Sequence, residues 1–370
     1  MVYRNFKDKK VSWLGMGNMR LPMTEGDSPT IDKVKAQEII DYAMANGINY
    51  YDTAVGYHSG ESEVFLGEAL EKYPRDSYYL ATKFSIFMNP DYKSVFEEQL
   101  ARLKTDYIDF YLIHAIMDNN FQSYIDSGCI QYFAEQKAAG RIKHLGFSTH
   151  ANFDNFMTFL NQHDWEFVLQ QLNAYDWQYG ISKQMYEELE SRGIQTIAMG
   201  PVRGGRIAKL SPEAEAILKE ARPAWTLSEW AFRWVKNRSN NMIALSGMTT
   251  LEQIKENVRL FQDDSSMTEA EEEIFYNALE AFKKEMQAPC TDCNYCIDSE
   301  NCPVKINIPR FLQVYNNYKV DGDFALKRKI EAVESAGLPS DCVFCDKCNQ
   351  KCPQSIDIVA IMRELGEYLE

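Results

Sequence analysis

The sequence predicts an α/β chain: a (β/α)8 TIM barrel followed by a small, mostly helical domain rich in cysteine. Two observations predict it. Short apolar runs alternate with amphipathic segments over residues 11–261, which gives eight strands with helices between them. Eight of the nine cysteines lie at or beyond residue 290. A barrel of ordinary size therefore accounts for the first part of the chain, and the cysteines require a separate explanation.

Each predicted strand is short, apolar and followed by a segment of helical length. Candidate helices such as residues 30–47 and 182–193 begin with a capping Ser or Thr and end in Gly. An open doubly wound sheet is the alternative, but it requires an early Gly-rich nucleotide turn. In GMGNMRLP, Arg20 and Pro22 do not continue as a helix, so the barrel is favoured. The predicted strands are 11–16, 49–54, 78–84, 109–115, 143–149, 167–173, 195–200 and 242–247.

Composition divides the chain into three predicted parts. A polar, acidic stretch follows the last strand and reads as a helix started by Thr268. Beyond it, helical patterns occur at 308–318 and 357–369, among the cysteines. The three parts are a barrel at 1–262, an acidic helical linker at 263–288 and a cysteine-rich domain at 289–370.

The charge balance excludes some classes of partner. The formal net charge is −15 and the pI is near 4.9, so the chain repels nucleic acid and anionic membrane. No apolar run has the length of a signal peptide or a membrane span. A cytoplasmic location is therefore expected, and in a reducing compartment the cysteines are not expected to form disulfides.

The two cysteine runs share one spacing. Each places three cysteines at three-residue steps, followed by a more distant fourth cysteine and a proline. This spacing wraps a loop around one cubane cluster, and in bacterial two-cluster ferredoxins the fourth cysteine of each run ligates the other cluster. Crossing predicts two [4Fe–4S] clusters in a ferredoxin-like domain. One would be held by Cys290, Cys293, Cys296 and Cys352, and the other by Cys302, Cys342, Cys345 and Cys348.

The first run departs from the ferredoxin pattern. Five residues, not three, separate Cys296 from Cys302, which leaves the fourth ligand of each cluster open. A pair of structural zinc sites is the alternative. Zinc usually takes two paired ligands from each of two loops, and requires neither a third cysteine at the same step nor the proline. Cys129 stands alone and is predicted to be a packed thiol.

Four ionisable residues fall at the C-terminal ends of neighbouring predicted strands, where barrel active sites lie. Asp52 ends the second strand, and Tyr57 follows in the loop. Lys83 lies near the end of the third strand and His114 near the end of the fourth. Each could separately be a cap, a packing residue or a structural histidine. Together they predict a catalytic site.

These residues resemble the aldo-keto reductase family. The segment YYDTAVGYHSGESEVFLGEAL resembles the family's Asp–Tyr segment, and Lys83 and His114 stand where its other two catalytic residues stand. The resemblance covers about residues 1–262, and the cysteine tail resembles a subset of the family with a C-terminal ferredoxin-like domain. It implies an oxidoreductase that reduces an aldehyde or ketone, or oxidises the alcohol, with NADPH or NADH.

The resemblance implies a role for each of the four residues. Tyr57 would be the general acid that protonates the carbonyl oxygen, although a phenol pKa near 10 is high for that task at pH 7. The ammonium of Lys83 would lower this pKa, and Asp52 would hold Lys83 charged and oriented. His114 would donate a hydrogen bond to the carbonyl oxygen.

Contacts to the nicotinamide cofactor are expected along the later strand ends. Ser148 and Thr149 would meet the carboxamide. Gln171 or Gln170 would complete that contact, since Leu169 occupies the usual glutamine position. The other expected contacts are Arg203, Gly204 and Gly205 at the pyrophosphate, Ser246, Gly247 and Met248 at the adenosine, and Asn257 at the adenine.

The choice between NADH and NADPH stays open. Family members that prefer NADPH generally place Lys or Arg after the last strand, to meet the 2′-phosphate. This chain has Gly247 and Gln253 at the matching places, and Lys255 is the nearest base. Another loop could supply the charge instead.

A nicotinamide transfers two electrons as hydride, whereas a [4Fe–4S] cluster transfers one at a time. Three interpretations of how the barrel and the clusters work together therefore stay open. The clusters could be structural or regulatory beside an ordinary carbonyl reductase. The barrel could instead hold a flavin that exchanges electrons with a ferredoxin or another carrier through the clusters. The chain could also be an electron-transfer or sensing module, but the complete set of four polar residues argues against that. The expected partners are a small carbonyl or alcohol substrate and an electron carrier.

Overall fold

The computed structural model describes residues 1–25, 30–297, 301–321 and 326–369. In these residues eight parallel strands close into a barrel, each pairing with the next along the chain and the last closing on the first. The predicted fold class is confirmed. The strands are β1 (Tyr3–Phe6), β2 (Lys9–Ser12), β3 (Leu14–Gly17), β4 (Tyr50–Asp52), β5 (Tyr79–Phe84), β6 (Ile108–Ile116), β7 (Ile142–Thr149), β8 (Phe167–Gln171), β9 (Gln195–Met199) and β10 (Asn241–Gly247), of which β3 to β10 form the barrel.

Helices connect the barrel strands and make up most of the C-terminal region. None in the described residues is long and apolar enough to cross a membrane. The helices are α1 (Lys33–Ala45), α2 (Glu61–Leu70), α3 (Tyr92–Arg102), α4 (Phe121–Ser127), α5 (Cys129–Ala138), α6 (Phe153–Leu160), α7 (Ala174–Tyr179), α8 (Ser182–Ser191), α9 (Pro212–Ala221), α10 (Leu227–Lys236), α11 (Leu251–Leu260), α12 (Glu269–Glu285), α13 (Ile308–Asp321), α14 (Leu326–Glu331), α15 (Lys347–Gln350) and α16 (Ile358–Glu367).

Seven of the eight predicted strands coincide with β4 to β10, but the first prediction is wrong. The run 11–16 contains the end of β2 and the start of β3, with a break at Trp13. The hydroxyl of Ser12 donates to the carbonyl of Leu14 at 2.8 Å and turns the chain there. β1 and β2 form an antiparallel hairpin, and its Phe6 packs in the barrel core 5.4 Å from the ring of Phe110.

Helix starts follow capping chemistry. Thr268 accepts from the backbone N–H of Glu271, and the Glu271 carboxylate accepts from Thr268 N–H, so the predicted start of α12 is confirmed. α1 begins later than predicted, because Asp32 caps it by accepting from Lys35 N–H. Ser182 does not cap α8, since its hydroxyl donates to a β8 carbonyl instead.

The described chain forms two compact units whose boundaries differ from the predicted parts. The segment between β9 and α10 belongs with the C-terminal region, because α9 packs on α12. One contact between these helices is the 2.6 Å hydrogen bond from Arg222 Nε to Glu271 Oε1. The first unit holds Met1–Pro201 and Ala231–Met267, and the second holds Val202–Trp230 and Thr268–Glu370.

Candidate active site and cysteine cavities

Asp52 and Lys83 form a buried ion pair at the ends of adjacent barrel strands. Asp52 is the last residue of β4, which pairs with β5, where Lys83 lies. The ammonium donates to Asp52 Oδ1 at 2.5 Å and to the carbonyl of Thr53 at 2.7 Å. Both side chains are almost fully buried. The pair is therefore fixed in position and shielded from solvent.

Burial and pairing act on this pair in opposite directions. Burial lowers the pKa of Lys83, and the neighbouring Asp52 raises it again. Burial raises the pKa of Asp52, and Lys83 opposes that change. Each charge is thus stabilised mainly by its partner, since water cannot reach either group.

Tyr57 and His114 lie against this ion pair. Lys83 Nζ is 4.8 Å from the centroid of the Tyr57 ring. The rings of Tyr57 and His114 are 5.9 Å apart and cross at 79°. Burial raises the pKa of Tyr57 well above its usual value, and Asp52 adds to this shift, which is the opposite of the lowering expected from Lys83. The structure therefore brings the four predicted residues together around one point, with the phenol protonated at neutral pH.

His114 is held by the backbone around it and stays neutral. Burial lowers its pKa well below the usual value, and the charge of Lys83 adds to this effect. Tyr124 donates its hydroxyl to the His114 carbonyl at 2.7 Å. The next residue, Ala115, has φ 53° at an irregular point in β6, and its N–H donates to Ser148 Oγ at 2.7 Å. A neutral imidazole can donate a hydrogen bond to a carbonyl oxygen.

The residues predicted at the carboxamide lie at the ends of β7 and β8. Ser148 and Thr149 are buried there. Gln171 donates to Asp176 Oδ2 at 2.5 Å, so its side chain already has a protein partner. Gln170 is fully buried, and neither polar atom of its side chain has a hydrogen-bond partner in the described residues.

The segment after β10 brings together the residues predicted at the adenosine. Asn257 donates to Ser246 Oγ at 3.1 Å, and Met248 is buried beside them. The side chain of Arg20 covers Gly247, since a Cβ there would lie 3.2 Å from Arg20 Cδ. Sequence reasoning missed Arg20, because it comes from the other end of the chain. The β3–β10 pairing of the closing barrel brings it here.

Gln253 and Lys255, two positions considered for the 2′-phosphate, make other contacts. The side-chain oxygen of Gln253 accepts from the N–H groups of Thr249 and Thr250, which completes a capping box at the start of α11. Lys255 Nζ points towards α1, 6.0 Å from the Tyr42 ring. The cationic side chain of Arg20 packs against Gly247.

The turn after β9 does not have the predicted form of a pyrophosphate cradle. Arg203 is 2 % exposed and donates to the carbonyl of Pro289 and to Gln354 Oε1, both at 3.1 Å. A Cβ on Gly204 would lie 2.1 Å from the carbonyl oxygen of Thr291. Both residues thus face the first cysteine run. Gly205 follows, and its N–H donates within the same turn.

Two cavities in the second unit are each lined by four cysteines. They are partly open to solvent, and with that open space they hold ≈ 290 Å³ and ≈ 340 Å³. Each takes three cysteines from one run and the fourth from the other, as the crossed pattern predicts, although residues 298–300 of the longer spacing lie outside the described residues. The first cavity is lined by Cys290, Cys293, Cys296 and Cys352. The second is lined by Cys302, Cys342, Cys345 and Cys348.

The two cysteine runs have similar backbone conformations at matching positions. Within the first run Asp292 and Asn294 have φ 56° and 66°, and Phe344 and Asp346 in the second have 52° and 62°. After each fourth cysteine the sequence reads CPVKINI or CPQSIDI and then continues into α13 or α16. Left-handed residues at matching positions therefore curve the two loops in the same way.

The cysteine cavities fit an iron–sulfur group better than a single ion. Burial raises the pKa of Cys293 and of Cys348 to about 12, so thiolates here need a strong positive charge beside them. In the described residues no three Cys, His, Asp or Glu side chains are grouped as they would be around one metal ion. Four cysteines instead line each cavity, the number of ligands that a [4Fe–4S] cluster requires.

The fold and the four grouped side chains are those of a barrel oxidoreductase. A sequence model of the aldo/keto reductase family matches residues 13–273, and one for a 4Fe-4S dicluster domain matches residues 289–356. The chain therefore belongs to the aldo/keto reductase family and carries a C-terminal 4Fe-4S domain.

Relatives and solved structures cover the barrel. The chain is 28 % identical to the NADH-specific methylglyoxal reductase of Escherichia coli, over 68 % of this chain and 90 % of that protein. The structure of aldo-keto reductase AKR11C1 from Bacillus halodurans aligns with a TM-score of 0.63 and 26 % identity, over 75 % of this chain and 96 % of that one. The glycerol dehydrogenase AKR11B4 of Gluconobacter oxydans shares the fold, with a TM-score of 0.61 and 21 % identity over 76 % of this chain and 95 % of that one.

Proposed function

We propose that this protein reduces the carbonyl group of a small molecule with a nicotinamide cofactor, and that its C-terminal domain holds two [4Fe–4S] clusters. The observation that carries the first part is the position of Lys83, which lies between the Asp52 carboxylate and the Tyr57 ring, beside His114. This arrangement supplies a proton and orients a carbonyl oxygen at one point.

Each of the four residues has a distinct task in this proposal. The nicotinamide supplies a hydride to the carbonyl carbon when it is bound. Tyr57 donates its proton to the carbonyl oxygen, and the Lys83 ammonium stabilises the phenolate that remains. Asp52 keeps Lys83 charged, and the neutral His114 donates a hydrogen bond that fixes the carbonyl oxygen. Burial of the group excludes water that would weaken these interactions.

The residues proposed to hold the cofactor lie on the later strand ends. Ser148 and Thr149 are proposed at the carboxamide, together with Gln170 or Gln171. Ser246, Gly247, Met248 and Asn257 are proposed at the adenosine. We add Arg20 as the cation for a 2′-phosphate, because its side chain packs over Gly247. NADPH is therefore the proposed cofactor, in contrast to the E. coli relative, whose name specifies NADH.

The clusters are proposed to use the crossed cysteine sets that line the two cavities. Cys345 of the second set is exposed, whereas Cys290 and Cys296 of the first are buried. The second cluster is therefore the one proposed to exchange electrons with a protein carrier such as a ferredoxin. A flavin in the barrel remains the alternative cofactor that would connect two-electron and one-electron chemistry.

Anaerobic purification followed by analysis tests both parts. About eight irons with matching sulfide are expected per chain, together with cofactor oxidation in the presence of small carbonyls such as methylglyoxal. The Tyr57→Phe variant is expected to keep the iron and lose carbonyl reduction. Tyr3→Phe is the matched control, because Tyr3 is exposed and its hydroxyl donates to the Gly47 carbonyl at 3.0 Å.

Three results would contradict the proposal. Turnover by Tyr57→Phe at the rate of the parent protein would remove the proton-donor role. Zinc in place of iron would refute the cluster assignment. A bound flavin that the nicotinamide reduces would favour the flavin alternative over direct carbonyl reduction.

A further inference from the structure

We propose that His58 is a positioning residue that joins the turn after Tyr57 to residues 18–21, and that ligand binding at the adenosine end of the cofactor site orders Tyr57 through this contact. The inference rests on the proposed function, because it requires a nicotinamide cofactor and a proton donor at Tyr57. Two segments carry it. Residues 57–60 are called the Tyr57 turn, and residues 18–21 are called the Arg20 segment.

The Tyr57 turn has an unusual backbone conformation. Three residues in succession have positive φ: His58 at 52°, Ser59 at 54° and Gly60 at 93°. This left-handed conformation is unfavourable for residues other than glycine, because their Cβ comes too close to the following carbonyl oxygen. His58 and Ser59 therefore keep it only while contacts from the surrounding structure hold them. Since Tyr57 begins the turn, the same contacts help to set the position of its ring.

His58 connects the turn to the Arg20 segment. The backbone N–H of Leu21 donates to His58 Nε2 at 3.2 Å. Only a neutral imidazole can accept this hydrogen bond, because both ring nitrogens of the protonated form are donors. Burial lowers the pKa of His58, although a backbone hydrogen bond with Asn18 and the charge of Glu61 oppose the shift. The ring is therefore neutral at neutral pH, as the contact requires.

Asn18, in the same segment, contacts the chain before and after the Tyr57 turn. Its side chain donates to the carbonyl of Asp52 at 2.9 Å, and its own carbonyl accepts from the Ser62 hydroxyl at 3.1 Å. Asn18 is fully buried. The Arg20 segment thus holds both ends of the stretch that carries Tyr57, and His58 makes the contact within the turn itself.

The Arg20 segment also contacts the loop after β10, where the adenosine is proposed to lie. The Thr249 hydroxyl donates to the Arg20 carbonyl at 2.9 Å, and the Arg20 side chain packs over Gly247. A ligand that binds in this loop therefore restricts the Arg20 segment. The hydrogen bond between Leu21 and His58 passes that restriction to the Tyr57 turn, since coupling travels through contiguous contacts.

The test is hydrogen–deuterium exchange with mass spectrometry on the anaerobically purified full-length protein. Adenosine 2′,5′-bisphosphate is the probe, because it carries the adenosine end of NADPH without the nicotinamide. It should slow exchange in peptides that contain the Tyr57 turn. This protection should be lost in His58→Phe, which keeps a ring but removes the acceptor, and kept in His58→Gln, whose carboxamide oxygen can accept from Leu21. His58→Phe should also lower kcat about tenfold, the typical effect of one lost hydrogen bond.

Ser59→Ala is the matched control. Ser59 is exposed and shares the left-handed conformation of His58, so the alanine variant should keep both the protection and kcat. Equal protection of the Tyr57 turn in the parent protein and in His58→Phe would overturn the proposal. A bound probe that leaves the turn unprotected in the parent protein would overturn it as well.

A second variant covers the case in which His58→Phe does not fold. Thr249→Val removes the hydroxyl that contacts the Arg20 carbonyl from an exposed position, and it should weaken the protection at saturating probe. Protection equal to that of the parent protein would contradict the coupling.

Calorimetry separates these results from failure of the cofactor assignment. If neither adenosine 2′,5′-bisphosphate nor AMP binds the parent protein, the proposed adenosine position is wrong. Exchange in the ligand-free proteins then decides the role of His58, because peptides that contain Leu21 should exchange faster in His58→Phe than in the parent protein. Equal rates would overturn that role, and Tyr57→Phe kinetics test the proton donor independently.

Discussion

Lys83 donates its ammonium to Asp52 at 2.5 Å, and both side chains are buried at the ends of neighbouring barrel strands. A buried ion pair is costly to form, and removing one partner leaves an unpaired charge in a medium that does not solvate it. Such a pair is therefore expected where one of its charges has a function that offsets this cost. The ring of Tyr57, 4.8 Å from the ammonium, is the group on which that charge is proposed to act.

The variant Asp52→Asn tests this relationship. Burial already lowers the pKa of Lys83, and Asp52 opposes that effect, so loss of the carboxylate lowers this pKa further. Lys83 then loses its proton at a lower pH, and activity should decline as pH rises through that lower pKa. We expect kcat to fall by about 100-fold or more at neutral pH. The measurement is the pH profile of carbonyl reduction.

Asp41→Asn is the control for this variant. Asp41 pairs with Lys72 at 2.7 Å on the surface, where ion pairs contribute little. The Asp41→Asn variant should leave both kcat and the pH profile unchanged. A parent-like profile in Asp52→Asn would show that Asp52 does not maintain the charge of Lys83.

The crossed cysteine sets predict the iron content of double variants. Cys290→Ser with Cys352→Ser removes two ligands of one cavity, so about four irons should remain. Cys290→Ser with Cys302→Ser removes one ligand from each cavity, so both clusters should be impaired. Iron and sulfide analysis of the two purified proteins measures the difference. An uncrossed arrangement would reverse this order, because Cys290 and Cys302 would then belong to one cluster.

The barrel and its four polar residues were predictable because their signals are local. Apolar runs give the strands, and barrel closure places the strand ends together wherever they lie in sequence. The cysteine sets were predictable for a similar reason, since the spacing is itself the signal. The packing partner of Arg203 was not predictable. It depends on a contact between residues far apart in the sequence, 203 and 354, which no local pattern encodes.

Arg20 predicts a cofactor preference that can be measured directly. Its side chain packs over Gly247, where the adenosine is proposed to lie. Replacing Arg20 with Met should weaken NADPH binding about tenfold, the typical effect of one lost charge-assisted hydrogen bond, and leave NADH binding nearly unchanged. Fluorescence titration of both nucleotides measures this. Equal effects on the two cofactors would mean that Arg20 does not contact the 2′-phosphate.

His150 predicts how stability depends on pH. Burial lowers its pKa to about 4 from the usual 6.5. Between these values the unfolded chain binds a proton that the folded chain does not, so stability rises with pH across this window and levels off above it. The slope from one such group reaches about 1.4 kcal/mol per pH unit. His150→Gln should flatten the rise of the unfolding midpoint over the upper part of the window, and an unchanged slope would contradict this.

Gly204 and Gly205 form a matched pair that tests how the first cysteine run is packed. Both have positive φ, 65° and 87°, so an alanine at either position carries the same kind of backbone strain, about 1 kcal/mol. They differ in the space available for a side chain. A Cβ on Gly204 would lie 2.1 Å from the carbonyl oxygen of Thr291, whereas a Cβ on Gly205 meets nothing within 4 Å.

Gly204→Ala should therefore displace the cysteine segment, because a backbone carbonyl cannot move away as a flexible side chain can. We expect Gly205→Ala to lower the unfolding temperature by about 2–4 °C with full iron content. Gly204→Ala should lower it further and lose about four irons, those of the first cavity. Iron analysis and thermal unfolding of the two proteins, measured side by side, decide the matter. Equal behaviour of the two variants would mean that the turn after β9 does not support the first cysteine run.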